Sequence, residues 1–99
     1  MTQRKQVDVA IAGATGAVGE AMLEILEARK FPVRNLYLLA SERSEGKRLQ
    51  FRGKSVTVQR LDSFDFSQAQ IGLFSAGGKL SAEFAPKAAS AGCVVVDNT

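Results

Sequence analysis

Residues 11–19 read IAGATGAVG, in which three glycines stand three positions apart. The apolar run VDVAIA at 7–12 leads into them and is typical of a buried parallel strand. From Ala17 onward, apolar residues recur at near-helical spacing until Lys30, where the following Phe31-Pro32 predicts the end of a helix. This strand–turn–helix unit predicts the start of an α/β fold.

The glycine turn also predicts a phosphate site. A strand that turns tightly into a helix presents free backbone N–H groups and the positive end of the helix dipole. We expect Gly13 to make the tight turn, Gly16 to let a pyrophosphate approach the backbone, and Gly19 to let the helix pack closely on the strand. Thr15 adds a hydroxyl. A purely structural turn is the alternative, and a P-loop is disfavoured because no Gly-Lys-Ser/Thr follows.

The residues after the second predicted strand, 35–40, indicate which dinucleotide binds. A 2′-phosphate requires hydrogen-bond donors and positive charge, and Arg43 with Ser41 and Ser44 would supply both. This favours NADP. In the competing interpretation, Glu42 accepts a hydrogen bond from the ribose 2′-hydroxyl of NAD.

The rest of the chain extends the α/β pattern. Short β-type runs at 49–51 and 56–58 predict a hairpin, and core strands are predicted at 71–75 and 93–97. Between those strands, Ser81 is predicted to cap a helix that ends at Ala91. The order predicts a Rossmann-like, doubly wound parallel sheet, with the hairpin inserted in the second crossover. We expect residues 1–99 to form the N-terminal part of one such domain.

Two further stretches would lie at the carboxyl edge of this sheet, where open α/β sheets bind ligands. Ser75, Ala76 and Gly77 would line the nicotinamide side, or form an ordinary strand-to-helix turn. Asn98 would contact substrate, or cap the next turn. Cys93 is expected to be a small buried apolar residue rather than a reactive thiol.

Composition excludes several classes of function. The chain has 45% hydrophobic and 23% charged residues and a net charge of +3, and it lacks the motifs and aromatic platforms of nucleic-acid binding. It has no histidine and one cysteine, so imidazole chemistry, histidine–metal sites and an internal disulfide are absent from it. No apolar run approaches the length of a membrane span. We expect a cytoplasmic protein with no nucleic-acid or membrane partner.

Taken together, GATGAVG, SERSEGK, FSAGG and VVVDNT resemble the N-terminal part of the aspartate-β-semialdehyde dehydrogenase family, in order and over essentially all 99 residues. The resemblance implies reversible, NADP-dependent reductive dephosphorylation of 4-aspartyl phosphate to L-aspartate-4-semialdehyde, on the route to lysine, threonine, methionine and diaminopimelate. It also implies a homodimer of the full-length form. The residues that it assigns to the cofactor diphosphate are Thr15, Gly16, Ala17 and Val18.

The same resemblance assigns Arg43 and Ser44 to the 2′-phosphate, Ser75, Ala76 and Gly77 to the nicotinamide side, and Asn98 to the substrate phosphate. The family's nucleophilic cysteine and acid–base histidine match no position here. We therefore expect the catalytic and dimerisation domain to lie outside these residues, which alone would be inactive. A paralogous or non-catalytic nucleotide-binding module is the alternative, because GEAMLEIL and FSQAQ also resemble a paralogous branch of the family.

Overall fold

The computed structural model describes residues 5–75 and 77–97. Within these residues, strands and helices alternate, with short 3-10 turns between some of them. In chain order the elements are β1 Val7–Ala12, α1 Ala17–Ala28, β2 Val33–Ala40, β3 Arg48–Phe51, β4 Lys54–Arg60, β5 Ile71–Phe74, α2 Gly78–Ser90 and β6 Val94–Asp97. The 3-10 turns cover Glu42–Ser44, Leu61–Ser63 and Phe66–Gln68.

The strands form one sheet in the order β3-β4-β2-β1-β5-β6. All neighbours are parallel except β3 and β4, which form an antiparallel hairpin. From the central strand β1, the chain crosses through α1 to β2 on one side. On the other side, β5 and β6 extend the sheet, and α2 connects them. This arrangement confirms the predicted Rossmann-like, doubly wound fold. Strand β1 has the predicted bounds, and the other strands begin and end within two residues of the predicted ones, which is the usual uncertainty of strand ends.

The two helices cover opposite faces of the sheet. Alternate residues of each strand point to opposite sides, so each face carries its own set of apolar side chains. On one face, α1 packs Met22, Leu23 and Leu26 against the side chains of Val9 and Ile11. On the other, Phe84 and Ala88 of α2 pack with the buried residues Ala10, Ala12, Leu39, Leu61, Phe66, Phe74 and Cys93. Neither helix is long and apolar enough to cross a bilayer.

The hairpin lies in the connection between β2 and β5, as predicted, but it is more closely integrated than a protruding insertion. Its second strand, β4, pairs in parallel with β2 through Leu38 and Val58, so the hairpin extends the main sheet. At its tip, Arg52 and Gly53 both have positive φ, at 53° and 77°. This is the backbone of the tight two-residue turn that matches the twist of paired strands.

That hairpin tip also holds the end of α1. The guanidinium of Arg52 donates to the carbonyl oxygens of Leu26 (3.3 Å) and Phe31, and its backbone N–H donates to Glu27 Oε2. The last turn of α1 contains no basic residue of its own. Arg52 therefore supplies the positive charge that stabilises the C-terminal end of a helix dipole.

The prediction that Ser81 caps the second helix is wrong. Helix α2 begins at Gly78, with Gly77 as its N-cap, and Ser81 lies inside it with only 2% of its surface exposed. The backbone N–H of Ser81 donates to the Gly77 carbonyl at 3.0 Å, which closes the first helical turn. Gly77 has a φ of 93°, a conformation open to glycine, and this allows the chain to enter the helix earlier than a serine cap would require.

Candidate functional site

The ends of β1, β2 and β5 meet at one edge of the sheet. Ala12 is in register with Leu39 and with Phe74, so the residues that follow each strand come out side by side. This edge lies at the point where the connections turn in opposite directions, which is where open α/β sheets bind ligands. The structure places Gly13, Ser41 and Ser75 there.

The glycine turn is anchored to β2 by its backbone. The N–H groups of Gly13 and Ala14 both donate to the carbonyl of Leu39, at 2.8 and 3.1 Å, and the N–H of Gly16 donates to the Gly13 carbonyl at 3.1 Å. Gly13 has a φ of 88°, which favours glycine. The turn is therefore fixed at the carboxyl end of the central strand.

The two other glycines have different physical reasons to be glycine. A Cβ on Gly19 would lie 2.1 Å from the Gly13 carbonyl oxygen and 2.8 Å from Ala14 Cα, so close helix–turn packing excludes any side chain. A Cβ on Gly16 would meet nothing nearer than that same oxygen, at 3.5 Å, which is ordinary contact. Packing among the described residues therefore explains Gly19 but does not require glycine at position 16.

The N-terminus of α1 fits an anion. Its N-cap is Gly16, and no side chain in the described part of the chain caps it. Ala17 and Val18 are the first two helical residues, both exposed, and the N–H groups of a first turn have no partner within their helix. These donors and the positive end of the helix dipole face the same edge as the glycine turn.

A cleft of about 210 Å³ lies at this edge. It brings together the predicted site residues Gly13, Thr15, Gly16, Ser41 and Ser75, and its remaining lining residues are Ala40, Leu61 and Leu80. A smaller cleft of about 120 Å³ continues past Ser41 and adds Glu42, Asp62 and Phe84. The apolar walls were not predicted from the sequence, because Leu61 and Leu80 reach the cleft from a 3-10 turn and a helix distant in sequence.

The loop after β2 forms a short 3-10 turn, Glu42–Ser44, in which Glu42 and Arg43 are exposed and Ser44 is buried. The Ser44 hydroxyl lies 3.2 Å from the hydroxyl of Thr15 in the glycine turn. The loop is also attached to β4, because Gly46 N–H donates to the Val58 carbonyl at 3.0 Å. The segment that carries Arg43 is thus tied both to the glycine turn and to the sheet.

A neighbouring basic side chain is already paired. Arg60, at the end of β4, donates from Nε and Nη2 to the two carboxylate oxygens of Asp62, at 3.0 and 2.8 Å. This ion pair lowers the pKa of Asp62 and raises that of Arg60, to which Glu42 and Glu45 also contribute. Arg60 is therefore engaged by carboxylates, whereas Arg43 is exposed on its loop and does not itself line either of these two clefts.

The second glycine turn is described only in part. Ser75 donates from both its backbone N–H and its hydroxyl to the Ala12 carbonyl, at 2.8 and 3.1 Å, which fixes it beside β1. Gly77 is exposed, and a Cβ added to it would have no described atom within 4 Å. Ala76 and Asn98, predicted to contact the nicotinamide side and the substrate, lie outside the described residues.

Cys93 does not belong to this site. It lies just before β6 and is 5% exposed, packed among the core residues beneath α2. Burial raises the pKa of its thiol, which disfavours the reactive thiolate. Among the described residues, no cluster of three or more His, Cys, Asp or Glu side chains could hold a metal ion.

The doubly wound sheet and the glycine turn at its switch point define this chain as a dinucleotide-binding domain. Residues 8–99 match the family model described as "Semialdehyde dehydrogenase, NAD binding domain". The chain belongs to that semialdehyde dehydrogenase family.

Individual proteins that are similar to this chain include named aspartate-semialdehyde dehydrogenases. Aspartate-semialdehyde dehydrogenase 2 from Vibrio cholerae is 65% identical over 95 residues, which cover 96% of this chain and 28% of the relative. A protein named USG-1 protein homolog, from Azotobacter vinelandii, is 47% identical over 91 residues, 92% of this chain and 27% of its own length. The crystal structure of aspartate semialdehyde dehydrogenase II from Vibrio cholerae complexed with ASA has a TM-score of 0.94 and covers 96% of this chain and 32% of that one. The chain thus spans under a third of the length of each of these relatives.

Proposed function

We propose that this chain supplies the NADP-binding part of an aspartate-semialdehyde dehydrogenase. The observation that carries the proposal is the meeting of the glycine turn and the Arg43 loop at one cleft on the carboxyl edge of the sheet. The first can take the diphosphate of a dinucleotide, and the second can take a phosphate on its ribose.

The diphosphate would lie against Thr15, Gly16, Ala17 and Val18. The uncapped N-terminus of α1 offers backbone donors and favourable dipole charge, and Gly16 leaves the approach open because it lacks a side chain. Gly13 holds the turn in place through its N–H bond to Leu39.

The 2′-phosphate would be bound by Arg43, with Ser41 and Ser44 beside it. Arg43 is exposed and carries the planar set of N–H donors that suits phosphate, and Ser41 is exposed at the cleft. Glu42 is adjacent and exposed, and its carboxylate would repel a 2′-phosphate, so in the competing interpretation it accepts a hydrogen bond from the ribose 2′-hydroxyl of NAD. The guanidinium of Arg43 and the hydroxyls of Ser41 and Ser44 are the donors that favour NADP over NAD.

Ser75, Ala76 and Gly77 would line the nicotinamide side, and Asn98 would lie by the substrate phosphate. When bound, the reduced cofactor supplies a hydride. The residues of this chain hold and orient it, and the proposed reaction converts 4-aspartyl phosphate to L-aspartate-4-semialdehyde reversibly, in the biosynthesis of lysine, threonine, methionine and diaminopimelate. The catalytic cysteine and histidine, and the contacts of a homodimer, would come from outside residues 1–99. We place this activity in the cytoplasm.

The proposal is tested with the longest natural form of the protein. Aspartate semialdehyde, NADP and inorganic phosphate are mixed, and absorbance of the reduced nicotinamide is followed. We expect NADP reduction that requires phosphate. Absence of reduction, together with intact NADPH binding, would instead favour a paralogous or non-catalytic nucleotide-binding module. Absence of both would overturn the proposal.

A further inference from the structure

The hydroxyl contact between Thr15 and Ser44 joins two segments that are 29 residues apart in sequence. Their oxygen atoms lie 3.2 Å apart. Thr15 belongs to the glycine turn, one residue before the N-cap of α1, and Ser44 follows Arg43 directly. The contact therefore links the segment proposed to take the diphosphate with the segment proposed to take the 2′-phosphate.

Ser44 is held firmly in this position. Only 9% of its surface is exposed. Its backbone N–H donates to the Ser41 carbonyl at 3.0 Å, and its own carbonyl accepts from the N–H of Lys47 at 3.1 Å. Ser44 is thus fixed at both sides by the backbone of its loop, whereas its hydroxyl is directed to the glycine turn.

The chemistry of the pair gives this contact a direction. Each hydroxyl has one hydrogen to donate and can accept two hydrogen bonds. When Ser44 donates to Thr15, the hydrogen of Thr15 stays available for an anion at the helix N-terminus. A phosphate next to Thr15 would favour that arrangement, since an anion accepts hydrogen bonds but cannot donate them. Chains of hydroxyls polarised in this way strengthen one another.

We infer that Ser44 is a positioning residue that orients Thr15 toward the diphosphate and thereby couples the two ends of the dinucleotide site. The inference rests on the proposed function, since it assumes that a dinucleotide occupies this cleft. Its distinguishing consequence is that Ser44 affects binding of a dinucleotide that has no 2′-phosphate. A residue that contacted only the 2′-phosphate would leave such a ligand unaffected.

The test compares dissociation constants of NADPH and NADH for the longest natural form of the protein, by calorimetric titration. In Ser44→Ala, we expect both ligands to bind about two- to tenfold more weakly, the effect of one lost hydrogen bond. Weakening of NADPH alone would overturn the inference. The matched control is Arg43→Ala, for which the proposed function predicts weakening of NADPH alone. A failure of that control would count against the proposed function instead.

A double-mutant cycle provides the second measurement. Thr15→Val removes the other hydroxyl and keeps the shape of the side chain, and Thr15→Ser keeps the hydroxyl. If the two residues act through one another, the double variant Thr15→Val with Ser44→Ala binds NADH no more weakly than Thr15→Val alone, and Thr15→Ser retains most of the affinity. Additive losses in the double variant would contradict the coupling.

Loss of folding is separated from loss of positioning by thermal unfolding of each variant. We expect each variant to unfold cooperatively, with a midpoint lowered by only a few degrees, and to show altered NADH affinity at temperatures where it is fully folded. If Ser44→Ala does not fold, Thr15→Val and Thr15→Ser at the half-buried position 15 decide the matter alone. Equal NADH affinity of those two variants would overturn the inference.

Discussion

The carbonyl oxygen of Gly13 stands where a side chain on Gly19 would have to begin, 2.1 Å from an added Cβ. The first helix therefore rests directly on the turn that starts it. In Gly19→Ala, either the helix or the turn must shift, and we expect a loss of about 3 kcal/mol in the free energy of unfolding, at the upper end of overpacking effects. Urea-induced unfolding measures this value.

Gly16→Ala is the matched control for that substitution. Its Cβ would meet the same oxygen at 3.5 Å, and the backbone of Gly16 has an ordinary extended φ of −83°. We expect a stability within about 1 kcal/mol of the unaltered chain, combined with weaker NADPH binding, because the methyl group enters the path of the diphosphate. Equal destabilisation by the two substitutions would contradict the separate reasons assigned to these glycines.

Removal of the Arg52 side chain, which caps the C-terminal end of α1, is a second test of the fold. Arg52→Ala removes the charged donor from the carbonyls of Leu26 and Phe31 while keeping a side chain at the same backbone φ. We expect a loss of about 1 kcal/mol of unfolding free energy, the usual value for a cation at a helix end. The control is Lys54→Ala, exposed in the same hairpin, which should change stability far less. Equal effects would show that the cap contributes nothing.

Acid stability depends on Asp8 at the opposite end of the sheet. Arg34 donates to both of its carboxylate oxygens, at 3.0 and 2.6 Å, and Asn35 donates at 2.9 Å. These hydrogen bonds, with that of Arg34 the largest, lower the pKa of Asp8. A carboxylate with a lowered pKa contributes stability that is present above the ordinary Asp value of about 3.9 and is lost as the pH falls through the lowered pKa.

Asp8→Asn should therefore unfold more easily near neutral pH and lose less stability than the unaltered chain on acidification. Thermal unfolding across a pH series measures both. Asp62→Asn is the comparison. Arg60 lowers the pKa of Asp62 in the same direction, but this ion pair is exposed, so its removal should change stability less. A pH dependence of Asp8→Asn identical to that of the unaltered chain would refute the assignment.

Burial of Cys93 predicts that its thiol reacts slowly with external reagents. Because its side chain is enclosed beneath α2 and its pKa is raised, we expect an aromatic disulfide reagent to label it only as fast as the fold opens. The same reagent should react at once in denaturant. Rapid labelling of the folded chain would contradict this account and would reopen the question of a reactive role for Cys93.

The sequence was most informative where local patterns determine the structure. IAGATGAVG predicted the strand, the turn and the helix because glycine spacing, apolar period and the Phe31-Pro32 stop are all local. The start of α2 is not predicted correctly, because the deciding feature is the positive φ of Gly77, whereas Ser81 is only a residue type that is common at N-caps. Local pattern also gave the β3–β4 hairpin, but not its parallel pairing with β2, which depends on contacts between distant residues.

The candidate site shows the same division. Thr15, Ser41 and Ser75 were predicted to share one edge, since each follows a parallel strand, and the structure places them around one cleft. Leu61 and Leu80 were not predicted, because apolar residues in turns and helices carry no signal for a ligand wall. The Thr15–Ser44 contact was also beyond sequence reasoning, which assigned the two hydroxyls to separate phosphates.

The most direct measurement of the central claim is the ratio of NADH to NADPH dissociation constants, before and after Arg43→Ala, in the longest natural form of the protein. We expect tighter binding of NADPH by the unaltered protein, and loss of about 10-fold or more of that preference in the variant, because a charge-assisted hydrogen bond contributes about 1.5–3 kcal/mol. Arg48→Ala, a nearby exposed arginine on β3, should leave the ratio unchanged. A ratio that Arg43→Ala does not alter would contradict the claim that this loop recognises the 2′-phosphate of NADP.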